Sequence, residues 1–124
     1  MTSVHKKDTP VDNVEHSKAI EAFWEEIERA SEERNVEQRR SAIEAIAARL
    51  AGEIARSPTV PLFFLLGYAL YFHPDRLTSP AIQERLKSAL QSALDLDPGY
   101  ARAHMYLGHQ AWDLGRYAEA KSHF

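Results

Sequence analysis

The sequence predicts an all-α domain of about six helices, folded as antiparallel hairpins that stack side by side. Three observations carry that prediction. Apolar residues recur at helical spacing through one segment after another. The segments are joined by short connections, so neighbours should run antiparallel. Packing residues also repeat at a fixed distance, since Leu86 and Ala120 stand 34 residues apart, and so do Leu90 and Phe124.

Residues Met1 to Asp12 are polar, carry Pro10 and lack periodicity, and are read as a flexible tail. From about Asn13 to Glu33, Ile20, Phe23, Trp24, Ile27 and Ala30 share one face of a helix. Glu21, Glu25, Glu28 and Glu32 share the opposite face. Asn35 with Gln38 three residues on is a capping-box arrangement, and opens a second helix. Ile43, Ile46, Ala47, Leu50 and Ile54 form its inward stripe. It stops at Ser57-Pro58, because proline disfavours helix in the residue before it. These two helices make an N-terminal hairpin over 13–58. The third helix, Val60 to about Phe72, is apolar on nearly every side and should be surrounded. His73-Pro74-Asp75 ends it. Ser79 then caps a fourth helix with Pro80 at its first position, where a missing N–H costs nothing. Ile82, Leu86, Ala89, Leu90 and Ala93 point inward from it, as far as about Asp95.

The last stretch, Leu96 to Phe124, reads as a helix, a turn at Leu114-Gly115-Arg116, and a second helix folded back on the first. Small residues stand where the two cross: Gly108 and Ala111 on one, Ala120 on the other. Tyr100, Leu107, Tyr117 and Phe124 fill between them. Leu107, Gly108, Ala120 and Phe124, with Gly115 and Tyr117 at the turn, resemble the tetratricopeptide repeat (TPR), whose period is about 34 residues. His104 and Ala111 depart from it, standing where that family usually has Trp and often has Tyr. Phe63, Leu66 and Gly67 match His104, Leu107 and Gly108 at a spacing of 41, which puts seven extra residues in the loop between the third and fourth helices. Ala93 and Pro98 also fall at the family's offsets after Leu90. The resemblance covers 60–124, within a repeat region of 59–124, and implies a short right-handed solenoid, with the N-terminal hairpin as a degenerate repeat and the last repeat truncated.

A charged fraction of 27% beside 44% hydrophobic residues belongs to an ordinary soluble chain, and 124 residues support one core. The formal charge of −3 and the lack of a basic run beyond Arg39-Arg40 argue against a nucleic-acid surface. With no cysteine there is no disulfide framework and no thiolate chemistry. The start of the chain has no signal-peptide pattern, and the apolar run from Val60 to Phe72 is short of the roughly 20 residues a bilayer requires. A soluble cytoplasmic protein without membrane contact is the expectation.

The polar residues show no catalytic centre. His109 and Asp113 lie one helical turn apart, but two ligands are too few for a structural zinc site, and no metal or other cofactor is expected. His104 is read as packing. His73 and Asp75 lack a nucleophile or oxyanion donor, so helix termination explains them better than acid–base work. His5, His16 and His123 lie near ends or on surfaces. The glutamate stripe of the first helix is read as solvated, with pairs such as Glu25 and Arg29 adding about 0.3 kcal/mol. There is no glycine-rich phosphate loop.

What remains are residues suited to binding. By the resemblance, the first helix of each repeat lines a concave groove. That places Phe64, Tyr68, Tyr71 and Phe72 of the third helix there, with Arg102, Met105, His109, Trp112 and Asp113 of the fifth. Phe64 and Phe72 are read as interior, whereas Tyr68, Tyr71 and Trp112 suit a core and an interface equally. The partner-binding set is therefore Tyr68, Tyr71, Arg102, Met105, His109, Trp112 and Asp113. The groove lacks the Lys and Asn with which family members clamp a peptide carboxylate. Apolar contact with a peptide or helix should carry affinity, with Arg102 and Asp113 setting register. The expected function is non-catalytic protein binding, as scaffold or adaptor. The last helix reaches Phe124 after about two turns, which leaves an apolar end for a further segment or another subunit and makes self-assembly an alternative. A third reading is an inhibitor of the immunity-protein kind, its acidic first helix covering a basic site, with strongly salt-dependent binding.

Overall fold

The computed structural model describes residues 10–124 and contains six helices. They are α1 (Pro10–Ser31), α2 (Val36–Arg56), α3 (Val60–Tyr71), α4 (Pro80–Leu96), α5 (Ala101–Asp113) and α6 (Tyr117–His123). Among the described residues there is no strand, and no helix is long and apolar enough to cross a membrane. Most of the stretch read as a tail lies outside the described residues. Its last three residues do not fit that reading: they form the first turn of α1, which opens on Pro10, a residue whose fixed φ suits a helix start.

The caps explain where the helices begin. Asn35 Oδ1 accepts from the Gln38 N–H at 2.9 Å. The Asn35 N–H, however, donates to Glu33 Oε2 at 3.0 Å, so Glu33 takes the place that the capping box gives Gln38. Thr59, unremarked in the sequence, accepts from the Leu62 N–H, and Ser79 accepts from the Ile82 N–H. The turn from α5 to α6 is a Schellman motif. The Arg116 N–H reaches the Ala111 carbonyl at 2.8 Å and the Gly115 N–H reaches the Trp112 carbonyl at 2.9 Å. Gly115 takes φ of 80°, which a side chain would strain.

Each helix packs on the next, and α1, α3 and α5 also pack on one another in series. Three hairpins thus stand side by side, with α1, α3 and α5 forming one row. α3 touches α1, α2, α4 and α5. That is why it carries no polar face: Leu62, Phe64, Leu65, Tyr68, Ala69 and Leu70 are all buried. With Ile27, Ile43, Leu50, Leu86 and Leu90 they form a continuous core, each large side chain contributing about 1.5–3 kcal/mol.

The hairpins α3/α4 and α5/α6 use the same contact. An added Cβ on Gly67 would lie 2.4 Å from Leu90 Cδ2, and one on Gly108 would lie 2.5 Å from Phe124 Cε1. These are the glycines set 41 residues apart and the large residues set 34 apart in the sequence. Most of the extra length falls in the α3–α4 connection, which spans 72–79 against 114–116 between α5 and α6, and the rest lies within the helices. Gly52 of α2 has nothing nearby, so the first hairpin lacks this close crossing.

Candidate functional site

Along the row of α1, α3 and α5 the aromatic side chains form a continuous strip. Trp24 of α1 lies 4.9 Å from Tyr68, and Tyr68 lies 5.3 Å from Tyr106. Tyr106 in turn lies 5.1 Å from Tyr71. On α3, Phe64, Tyr68 and Tyr71 follow at i, i+4 and i+7, one helix face. Tyr106, His109 and Asp113 do the same on α5 at i, i+3 and i+7.

This strip corrects the sequence-derived groove. Tyr68 is not a surface contact: at 6% exposure it is core, roofed by Trp24 and Tyr106. Burial first, and then neighbouring Tyr106, push its pKa up to about 12. Tyr71 and Tyr106 are partly buried, and burial raises both hydroxyls. Phe64 is buried and Phe72 partly so, as read.

The rim is charged, and its charges are spoken for. The Arg102 guanidinium lies 4.9 Å from the Trp24 ring centroid, a cation–π contact. Trp24 Nε1–H donates to Glu28 at 3.0 Å. Asp113 accepts from Arg76 at 2.9 Å and from the Tyr71 hydroxyl at 3.1 Å. Arg76 also lies over the Tyr71 ring at 4.1 Å. It bonds Gln110 Oε1 at 2.8 Å, while Gln110 Nε2 returns a bond to the Arg76 carbonyl. Asp113 is therefore half of an internal ion pair rather than a free register mark.

The remaining members of the predicted set point elsewhere. Met105 (39% exposed) and Trp112 (54%) occupy the outward side of α5, with His109 at its edge toward the strip. Trp112 packs edge-on against Tyr117 at 4.6 Å. The structure so divides the predicted groove in two. Tyr71, Arg102 and Asp113 lie on the strip, Met105 and Trp112 on the outward face, and His109 between them. Trp24, Glu28, Arg76 and Tyr106 belong to the strip and were missed. Tyr106 had a signal, since it lies four residues after Arg102 and seven before Asp113.

The α3–α4 connection is anchored from α2, and through Arg76 from α5. Arg39 donates to the Phe72 carbonyl, and Arg40 grips Asp75 through two bonds of 2.9 and 3.1 Å. His73, 3% exposed, accepts the Asp75 N–H on Nδ1, so its Nε2–H faces Glu44 at 3.0 Å. Glu44 also takes a bidentate grip from Arg85 of α4, which holds its carboxyl below the usual range. All of these groups are satisfied within the protein. The arrangement is a brace between α2, the connection and α4, and it supplies no nucleophile. Beside it, α2 and α4 stand apart over α3, leaving a groove of about 500 Å³ lined by Ala47, Ala51, Phe63, Leu66 and Ala89. Among the described residues no group of three metal-ligating side chains converges.

Compared with known proteins, the chain matches no family model, and no curated protein or solved structure gives a significant match.

Proposed function

We propose that this chain is a non-catalytic protein-binding module of tetratricopeptide-like, right-handed architecture, a scaffold or adaptor acting in the cytoplasm. It takes a partner helix or peptide along the row of α1, α3 and α5. The observation that carries this reading is the aromatic strip itself. Trp24, Tyr71 and Tyr106 keep part of their rings open, while Glu28, Arg102 and His109 supply exposed polar contacts beside them. Half-open aromatics with an arginine are the side chains that dominate interface energetics, because they bury much area with little loss of conformational freedom. Hairpins whose first helices form one row, and the matched Gly67 and Gly108 crossings, support the repeat architecture.

The test is capture from lysate read by mass spectrometry, with wild type beside Arg102→Glu/His109→Glu. Both sites are exposed, so the variant keeps its core. A partner held by wild type and lost by the variant supports the strip. A partner held equally by both but released by salt moves the site to the acidic face of α1, and with it the function to the inhibitor reading. A partner held equally and insensitive to salt removes the strip from the account.

A further inference from the structure

We propose that the groove between α2 and α4 is a binding site for a small cationic amphiphile, an apolar chain carrying an ammonium head. Three helices build it. The floor is α3, where Phe63 and Leu66 are only partly buried. The walls are low, because Ala47 and Ala51 line the α2 side, and Ser88 and Ser92 the α4 side. Large side chains at those positions would have closed the floor off from water. At about 500 Å³ the space has the size of small-molecule pockets, which are mostly apolar with a few polar groups that set orientation.

The occupant follows from the charged groups, which stand together at one end. Glu44 of α2 and Arg85 of α4 join across the groove through two bonds of 2.9 Å, and Glu84 lies beside them. That bidentate pair uses the guanidinium for one carboxylate. Glu84 is exposed, and among the described residues its carboxylate forms no hydrogen bond or ion pair. The lining therefore carries two carboxylates against one cation, a balance that attracts an ammonium group and repels another carboxylate. The bridge also limits the shape of the occupant. A partner helix, about 10 Å across, would have to break it to lie along α3. A slim chain can run from Phe63 over Leu66 and place its head group at Glu84.

The experiment is calorimetric titration of the full chain with decylamine, decanol and decanoate, each below the concentration at which it forms micelles. Decylamine should bind one to one and about fivefold more tightly than decanol, with decanoate weakest. Glu84→Gln should bring decylamine to the level of decanol and leave decanol unchanged. Ala51→Phe fills the groove from an exposed position, and should abolish binding of all three with an unchanged helical spectrum. The proposal is overturned if none of the three binds, or if decanoate binds as tightly as decylamine. It is equally overturned if either variant binds decylamine as wild type does. Nuclear Overhauser contacts give a further arm. If the Leu66 methyl groups contact residues 1–9 or a second copy, and decylamine does not displace them, the groove belongs to that occupant and the proposal falls.

Discussion

The hairpins α3/α4 and α5/α6 share a packing scheme and differ in what surrounds them. Gly67 lets α4 approach α3 at Leu90, and Gly108 lets α6 approach α5 at Phe124. Yet Leu90 is fully buried, whereas Phe124 is 65% exposed. Likewise Phe64 is 1% exposed and its counterpart Met105 is 39% exposed. A local pattern sets which residues meet inside a hairpin, and the neighbouring elements decide how much that meeting is worth.

Truncating the large partner should show the difference at its widest. Leu90→Ala leaves a cavity in a close-packed core and should cost about 3 kcal/mol, lowering the thermal midpoint by roughly 10 °C. Phe124→Ala removes a mostly solvated ring and should cost no more than about 1 kcal/mol. Calorimetry on the two variants decides it, and equal losses would mean that α6 is as firmly seated as α4. Adding a methyl group on the glycine side should give a smaller, graded series. Gly67→Ala drives Cβ into a Leu90 side chain that has no room to move, costing about 1–3 kcal/mol. Gly108→Ala meets a ring free to swing outward, so gained helix propensity should offset most of the strain. Gly52→Ala meets nothing and should stabilise by about 1 kcal/mol. A stabilising Gly67→Ala would break the account of the crossing.

Much of the fold was readable because it depends on residues close in sequence. Asn35, Ser79 and Pro80 mark helix starts within four residues, and the all-apolar face of α3 announces its central position. The brace was not readable. Arg40 meets Asp75, Glu44 meets Arg85 and Arg76 meets Gln110, each pair separated by more than thirty residues. No local spacing encodes such a meeting. The candidate site was half readable for a geometric reason. Adjacent helical residues point about 100° apart, so Met105, read as a groove residue, and Tyr106, which was not, fall on different surfaces. Which surface each takes depends on where α3 lies against α5.

Acid should separate the two hairpins by the least energy but in a distinct order. His123 of α6 places Nδ1 3.2 Å from Nδ1 of His104, whose Nε2–H is directed at the Pro98 carbonyl at 3.0 Å. His104 Nδ1 is then the acceptor, and His123 donates. Burial, then His104, with a further contribution from Lys87, lowers the pKa of His123 below its ordinary 6.5, against an opposing pull from Glu119. The unfolded segment therefore takes up a proton before the docked one does. As pH falls below 6.5, docking of α6 weakens, until the folded imidazole is protonated as well. In α3/α4 the shifted groups are carboxylates. Hydrogen bonds from Arg85 hold Glu44 below its ordinary 4.5, and those from Arg40 hold Asp75 below 3.8. Their stabilisation is complete above those values and is lost only as pH falls further. Hydrogen exchange across this range should show α6 amides losing protection first, with those of α4 holding to lower pH. Substituting His123→Gln should remove the first step and leave the second. If both regions lose protection together in wild type, α6 does not open independently of the rest, and the contrast between a buried and an exposed hairpin is weaker than the burial of Leu90 and Phe124 implies.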